Sequence, residues 1–159
     1  MLMFFQYNWQ VRDEWFDWCK QLSDEELMSK RNGGIGNFLH TLLHIVDVEY
    51  SWVRAIQNKE DCEINFDEYT TLEKVKELSD LNRKEIEEYL LTWSDEFENE
   101  TIVVPWSGEQ FTKGKIVRHV IAHEIHHIGQ LSVWARELDR TPISASLIDR
   151  DLSRGSVKL

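Results

Sequence analysis

The chain has 159 residues, the size of one ordinary domain with a single core, and its seven Trp, seven Phe and four Tyr supply ample core volume. A formal net charge of −11, with no Lys/Arg cluster, argues against nonspecific binding to nucleic acid or an anionic membrane. No apolar run is long enough to span a bilayer, the N-terminal MLMFFQYNWQ lacks a basic leader, and Cys19 and Cys62 are far apart, so a cytoplasmic, reduced protein is expected, one domain over residues 1–159.

Apolar residues at spacings of three and four predict a first helix from about Leu2 to Lys20, with Phe5, Trp9, Phe16 and Cys19 as its stripe. Ser23-Asp24-Glu25-Glu26 reads as a capping box opening a short helix to about Ser29, and the glycines of 30–36 make a loop. A second long helix is expected over Asn37–Gln57, with Phe38, Leu42, Ile45, Val53 and Ile56 inward. His44 lies beside that stripe, whereas His40 and Asp47 fall further out. Glu49 projects inward, where a carboxylate is costly unless paired. Two readings are open for it: a boundary position reaching water, or polar support for a Trp, Tyr or histidine on a facing helix.

Asn58–Tyr69 is acidic and irregular, a solvated loop. Thr70-Thr71-Leu72-Glu73 offers another capping box, and a third long helix is expected from about Leu72 to Glu98, with Asn82 interrupting its inward face. Thr101–Val104 is a β-branched run, a strand-like connector or half a hairpin, and Thr112 caps the final long helix. Beyond Asp139 a short helix or turn is expected, with the last residues loose.

Four of the six histidines fall in HVIAHEIHHIGQ, residues 119–130 of that final helix. At about 100° per residue, Ile116, Val120, Leu131, Trp134 and Leu138 share one side, His127 sits in the middle of it and His123 at its edge. His119 and His126 lie further round. Neutral imidazoles at i and i+4 can grip one metal ion from adjacent turns, but two ligands are rarely enough. The third must come from a facing helix of an all-α bundle, with His44 best placed and His40 the fallback. Neither cysteine stands out as a nucleophile, and no catalytic general base is identifiable.

The pattern Thr41-Leu42-Leu43-His44-Ile45 with Glu49 beyond it, and the H-x-x-x-H-x-x-H-H-x-G-Q run from His119 to Gln130, resemble the DinB/YfiT-like superfamily of four-helix bundles. The resemblance covers most of the chain. It implies one divalent metal ion, nickel or zinc, held by three histidines that map to His44, His123 and His127. It also implies a homodimer, and characterised relatives include transferases using low-molecular-weight thiols. The function expected from it is a thiol-dependent S-transferase acting on a small-molecule substrate. The alternatives are metal-dependent hydrolysis and non-catalytic binding of a metal or small ligand.

Overall fold

The computed structural model describes residues 1–152. Five α-helices, one small hairpin and two short 3₁₀ turns (Phe66–Glu68 and Asp95–Asn99) make up the regular structure of those residues: α1 (Leu2–Cys19), α2 (Asp24–Met28), α3 (Phe38–Ile56), α4 (Leu72–Leu91), β1 (Thr101–Val103), β2 (Gln110–Thr112) and α5 (Lys113–Glu137). α3 packs against α4 and α5, and so does α1, which leaves α1 and α3 on a diagonal of a four-helix bundle. No helix of the described residues is long and apolar enough to cross a membrane.

The helix starts follow the side chains that begin them. Ser23 and Glu26 complete a capping box on α2, and Asn37, Thr71 and Thr112 each accept a backbone N–H in the first turn of α3, α4 and α5. At α4 only half of the expected box forms, because Lys74 and not an acid stands where the reciprocal bond would start.

α4 stops at Leu91, short of the expected Glu98. Thr92 turns its hydroxyl back to donate to the Tyr89 carbonyl at 2.7 Å, and Ser94 caps a separate 3₁₀ turn, Asp95–Asn99. Trp93 and Phe97 still pack edge to face with ring centroids 6.0 Å apart, so the apolar spacing continues although the helix does not. The β-branched run is half of a hairpin, with Thr101 opposite Thr112 and Val103 opposite Gln110. After α5 the chain runs back along α1. The Trp18 indole donates to the Thr141 carbonyl and the Tyr7 hydroxyl to that of Ala145, each at 2.8 Å, before a turn at 147–150. The expectation of a loose end falls on residues outside those described.

The apolar core comes in two pieces. Trp15, Phe16, Phe38, Leu42, Val75, Leu131 and Trp134 belong to one, and Phe5, Trp9, Val53, Ile56, Ile86, Ile116 and Val120 to the other. Arg12, Glu49, Ser79 and Glu124 are all buried, and along its own helix each lies between residues of the two pieces. A polar layer therefore crosses the bundle at mid-height.

Candidate metal centre

α3 and α5 are neighbours in the bundle, and their facing sides carry the three histidines that converge. His44 comes from α3, one residue off a stripe of buried Leu42, Leu43, Ile45 and Val46. His123 and His127 come from adjacent turns of α5. The His123 Nε2 lies 3.0 Å from the His44 Nε2 and 3.1 Å from the His127 Nε2. Ring centroids are 4.9 Å apart for His44–His123 and His44–His127, and 4.5 Å for His123–His127. One nitrogen from each ring lies within 4.8 Å of the others, so the group could hold a metal ion. Metal–nitrogen bonds of about 2.0–2.1 Å put neighbouring ligand nitrogens roughly 3.0–3.4 Å apart, which these spacings match at the lower end.

The rings are held neutral. Burial foremost, then the charges of His127, His44 and the other nearby rings, drive the His123 imidazole down to about 3. Burial likewise lowers His44, with His127 adding to it, and burial lowers His127 against the opposing hydrogen bond from Gln130. Neutral imidazole is the form that offers a lone pair.

Gln130 decides which nitrogen of His127 does so. Its Oε1 lies 2.7 Å from His127 Nδ1, and as a carbonyl oxygen it accepts, so Nδ1 carries the proton and Nε2 is free. The Gln130 amide nitrogen lies 3.0 Å from His126 Nε2 and donates there. Gly34, in the loop before α3, sits against the same carboxamide with φ +55°, so closely that a Cβ at this position would overlap the Gln130 oxygen. The Trp134 indole fixes the loop by donating to the Asn32 carbonyl at 3.0 Å.

The other histidines are elsewhere. His126 is exposed beyond Gln130. His40 contacts its own N-cap, with Asn37 Nδ2 at 3.2 Å from its Nδ1, and its ring lies 5.9 Å from Phe66. His119 is exposed one turn before His123, 5.9 Å from that ring and 5.4 Å from Trp52. Burial pushes the Cys19 thiol up to about 12, and Cys62 lies exposed in the acidic loop.

Glu49 is 2 % exposed, so it does not reach for water. Its Oε1 accepts from the Trp9 indole and its Oε2 from Arg12, both at 2.8 Å. Arg12 is fully buried and grips Glu124 through Nε at 2.8 Å and Nη2 at 2.5 Å. Of the partners expected for Glu49, the Trp is correct, and Arg12 and Glu124 were missed. Both were visible in the spacing: Arg12 falls in the stripe of Phe5, Trp9 and Phe16, and Glu124 in that of Val120, His127 and Leu131. Gln130 was missed as well; its signal is an amide three residues beyond His127.

Residues 1–152 match the family model described as the DinB family. The chain is 59% identical over 153 residues to the uncharacterized protein YizA of Bacillus subtilis strain 168, with 96% of each chain covered. It is similar in structure to a DinB-like protein from Bacillus cereus ATCC 10987, at a TM-score of 0.62 and 22% identity over 89% of this chain and 94% of that one. A second DinB-like structure, YjoA from Bacillus subtilis, aligns at a TM-score of 0.60 and 17% identity, covering 91% of this chain and 96% of that one. At such identities the two structures show the fold alone.

Proposed function

The chain belongs to the DinB family, and from that premise we propose that His44, His123 and His127 hold one divalent ion, nickel or zinc, in a thiol-dependent S-transferase. The observation that carries this reading is the convergence of three neutral imidazole nitrogens, two of the contacts at 3.0 and 3.1 Å, from two helices. An all-nitrogen set of three suits those metals and leaves coordination positions open, the pattern of catalytic sites. When bound, such an ion supplies Lewis acidity that favours the thiolate of a small thiol at its open side. The choice of a thiol rests on the thiol-using transferases that the family resemblance implies. In the overall reaction the sulfur forms a bond to an electrophilic carbon, the S–H proton passes to solvent, and the leaving group departs with its electron pair.

The residues around the trio do the holding. Gln130 keeps the His127 proton on Nδ1 and its Nε2 lone pair toward His123, and Gly34 leaves room for the amide to do so. Glu49 and Glu124, tied to Arg12, hold α3 and α5 at a fixed spacing. The molecule works as a homodimer, for which exposed Phe4, Ile125 and Val133 on α1 and α5 offer apolar surface.

Elemental analysis of protein purified without a metal-binding tag tests the first step. About one divalent ion per chain is expected, lost in His44→Ala, His123→Ala and His127→Ala and retained in His126→Ala. Retention by His44→Ala together with loss by His126→Ala overturns the ligand set. Metal-stimulated consumption of a thiol with monochlorobimane tests the second step. Ester or amide turnover without thiol favours hydrolysis instead.

A further inference from the structure

Below the three histidines a cleft of about 230 Å³ opens between α3, the start of α5 and the hairpin, lined by Trp52, Glu109, Phe111, Lys115, Ile116 and His119. Its walls are mostly rings. Trp52 meets His119 edge-on with centroids 5.4 Å apart and faces Phe111 at 6.4 Å, and Trp106 packs edge-on against Trp52 at 4.8 Å. The hairpin is only three residues per strand, and it brings Phe111 and Trp106 to Trp52. Trp106 stays 47% exposed at the edge of this ring cluster.

The size of the cleft limits its occupant. An apolar cavity of about 150 Å³ holds benzene, whereas drug-sized ligands fill roughly 300–1,000 Å³. One ring with one substituent fits between these bounds. Charge then selects the substituent. Lys113 and Arg118, on the same stretch of α5, are tied to Glu100 and Glu98, whereas Lys115 carries its ammonium over the Phe111 ring at 5.0 Å. The cleft also faces the first turns of α5, where the helix dipole is positive. Glu109, exposed in the loop just before β2, also lines the cleft and is the one acid that opposes this field among the lining residues.

We propose that this cleft is the subsite for a planar aryl group carrying an anionic substituent, the ring among Trp52, Phe111 and His119 and the anion at Lys115. This deepens the reading of the three histidines as the reactive centre and rests on it for the role of the ligand as substrate. His119 links the two places, 5.4 Å from Trp52 in the cleft and 5.9 Å from His123 in the trio.

The test is a ¹⁹F NMR titration of 4-fluorobenzoate, 4-fluorobenzyl alcohol and 4-fluorobenzylamine with the full chain as purified. The benzoate should bind tightest and the amine weakest. Lys115→Gln should weaken the benzoate about threefold and leave the alcohol unchanged, the scale of an exposed ion pair. Phe111→Leu should weaken all three by about two- to tenfold, the worth of one aromatic contact. The same order should persist in His44→Ala, because the carboxylate is read by Lys115 and not by a metal. Tighter binding of the amine, indifference to both cleft variants, or loss of the benzoate in His44→Ala overturns the proposal. Absence of metal with the expected binding order would remove the reactive centre and leave the subsite standing. Metal held by the trio with no response to the cleft variants would remove the subsite alone.

Discussion

Glu49→Leu is the substitution that most directly probes the polar layer. It strands the Trp9 indole N–H, which is buried and loses an acceptor at 2.8 Å, at a cost of about 1–3 kcal/mol. It also takes from Arg12 one charge-assisted bond at 2.8 Å, leaving the two to Glu124 and one to the Ser79 hydroxyl at 3.3 Å. One guanidinium against two carboxylates carries an excess negative charge, so removing one acid brings partial relief and the net loss should be about 2–4 kcal/mol. For a chain of this size that lowers Tm by roughly 5–15 °C. Glu49→Gln keeps one acceptor for two donors and should cost about 1 kcal/mol. Arg12→Met strands two buried carboxylates and should be the worst of the three, about 3–5 kcal/mol. Thermal melts of the three variants read the order, and metal titrations should show weaker binding in the same sequence, since α3 and α5 carry the histidines. A neutral or stabilising Glu49→Leu in both assays would refute the reasoning, because the carboxylate would then contribute nothing that a well-packed Leu does not replace.

Gly34→Ala should lower metal affinity, because its Cβ meets the Gln130 carboxamide that orients His127. Gly33→Ala is the control: its φ of +82° brings comparable backbone strain, about 1 kcal/mol, but nothing lies within 4 Å of the added carbon, so stability should fall with metal affinity unchanged. Equal loss of affinity in both would assign the effect to strain alone. Burial and the charge of Asp61 push the half-buried Asp47 up to about 6. A carboxyl raised above its ordinary value of about 3.9 contributes most below that value and loses its contribution as pH rises through about 6. Asp47→Asn should therefore raise Tm above pH 6 and change little below pH 4; a constant difference across that range would exclude the titration. Light scattering at micromolar concentration should report a dimer, and a monomer there would count against the proposed assembly.

The long helices were legible because their apolar stripes and caps agree, as at Asn37 for α3 and Thr112 for α5. The histidine pair was legible for the same reason: projection alone sets His123 and His127 inward and His119 and His126 out. The end of α4 was not, because a 3₁₀ turn keeps Trp93 and Phe97 in an apolar spacing that a helix would share. Arg12 and Glu124 were hidden differently. Each occupies a core position by spacing, but a charged residue there has meaning only once its partner is known, and the partners are 112 residues apart. The contact between Gly34 and Gln130 depends on how a loop folds over a helix, which no periodicity encodes.

The polar layer gives a physical reason for the trio to be preformed. His44 stands on α3, and His123 and His127 on α5, so the spacing of their nitrogens depends on how those helices are held. Apolar packing tolerates small slides between helices, because Leu and Ile contacts are nondirectional. Arg12 does not: its planar guanidinium bonds Glu124 on α5 with two nitrogens and Glu49 on α3 with a third. A slide of either helix along its axis would break a buried charge-assisted bond. Glu124 immediately follows His123, so the residue that locks α5 toward α1 sits beside one that faces α3. The cost of burying three charges is thus coupled to the geometry that three imidazoles need, and loss of metal affinity in Arg12→Met beyond that in an equally destabilised core variant such as Leu131→Ala is the outcome this coupling requires.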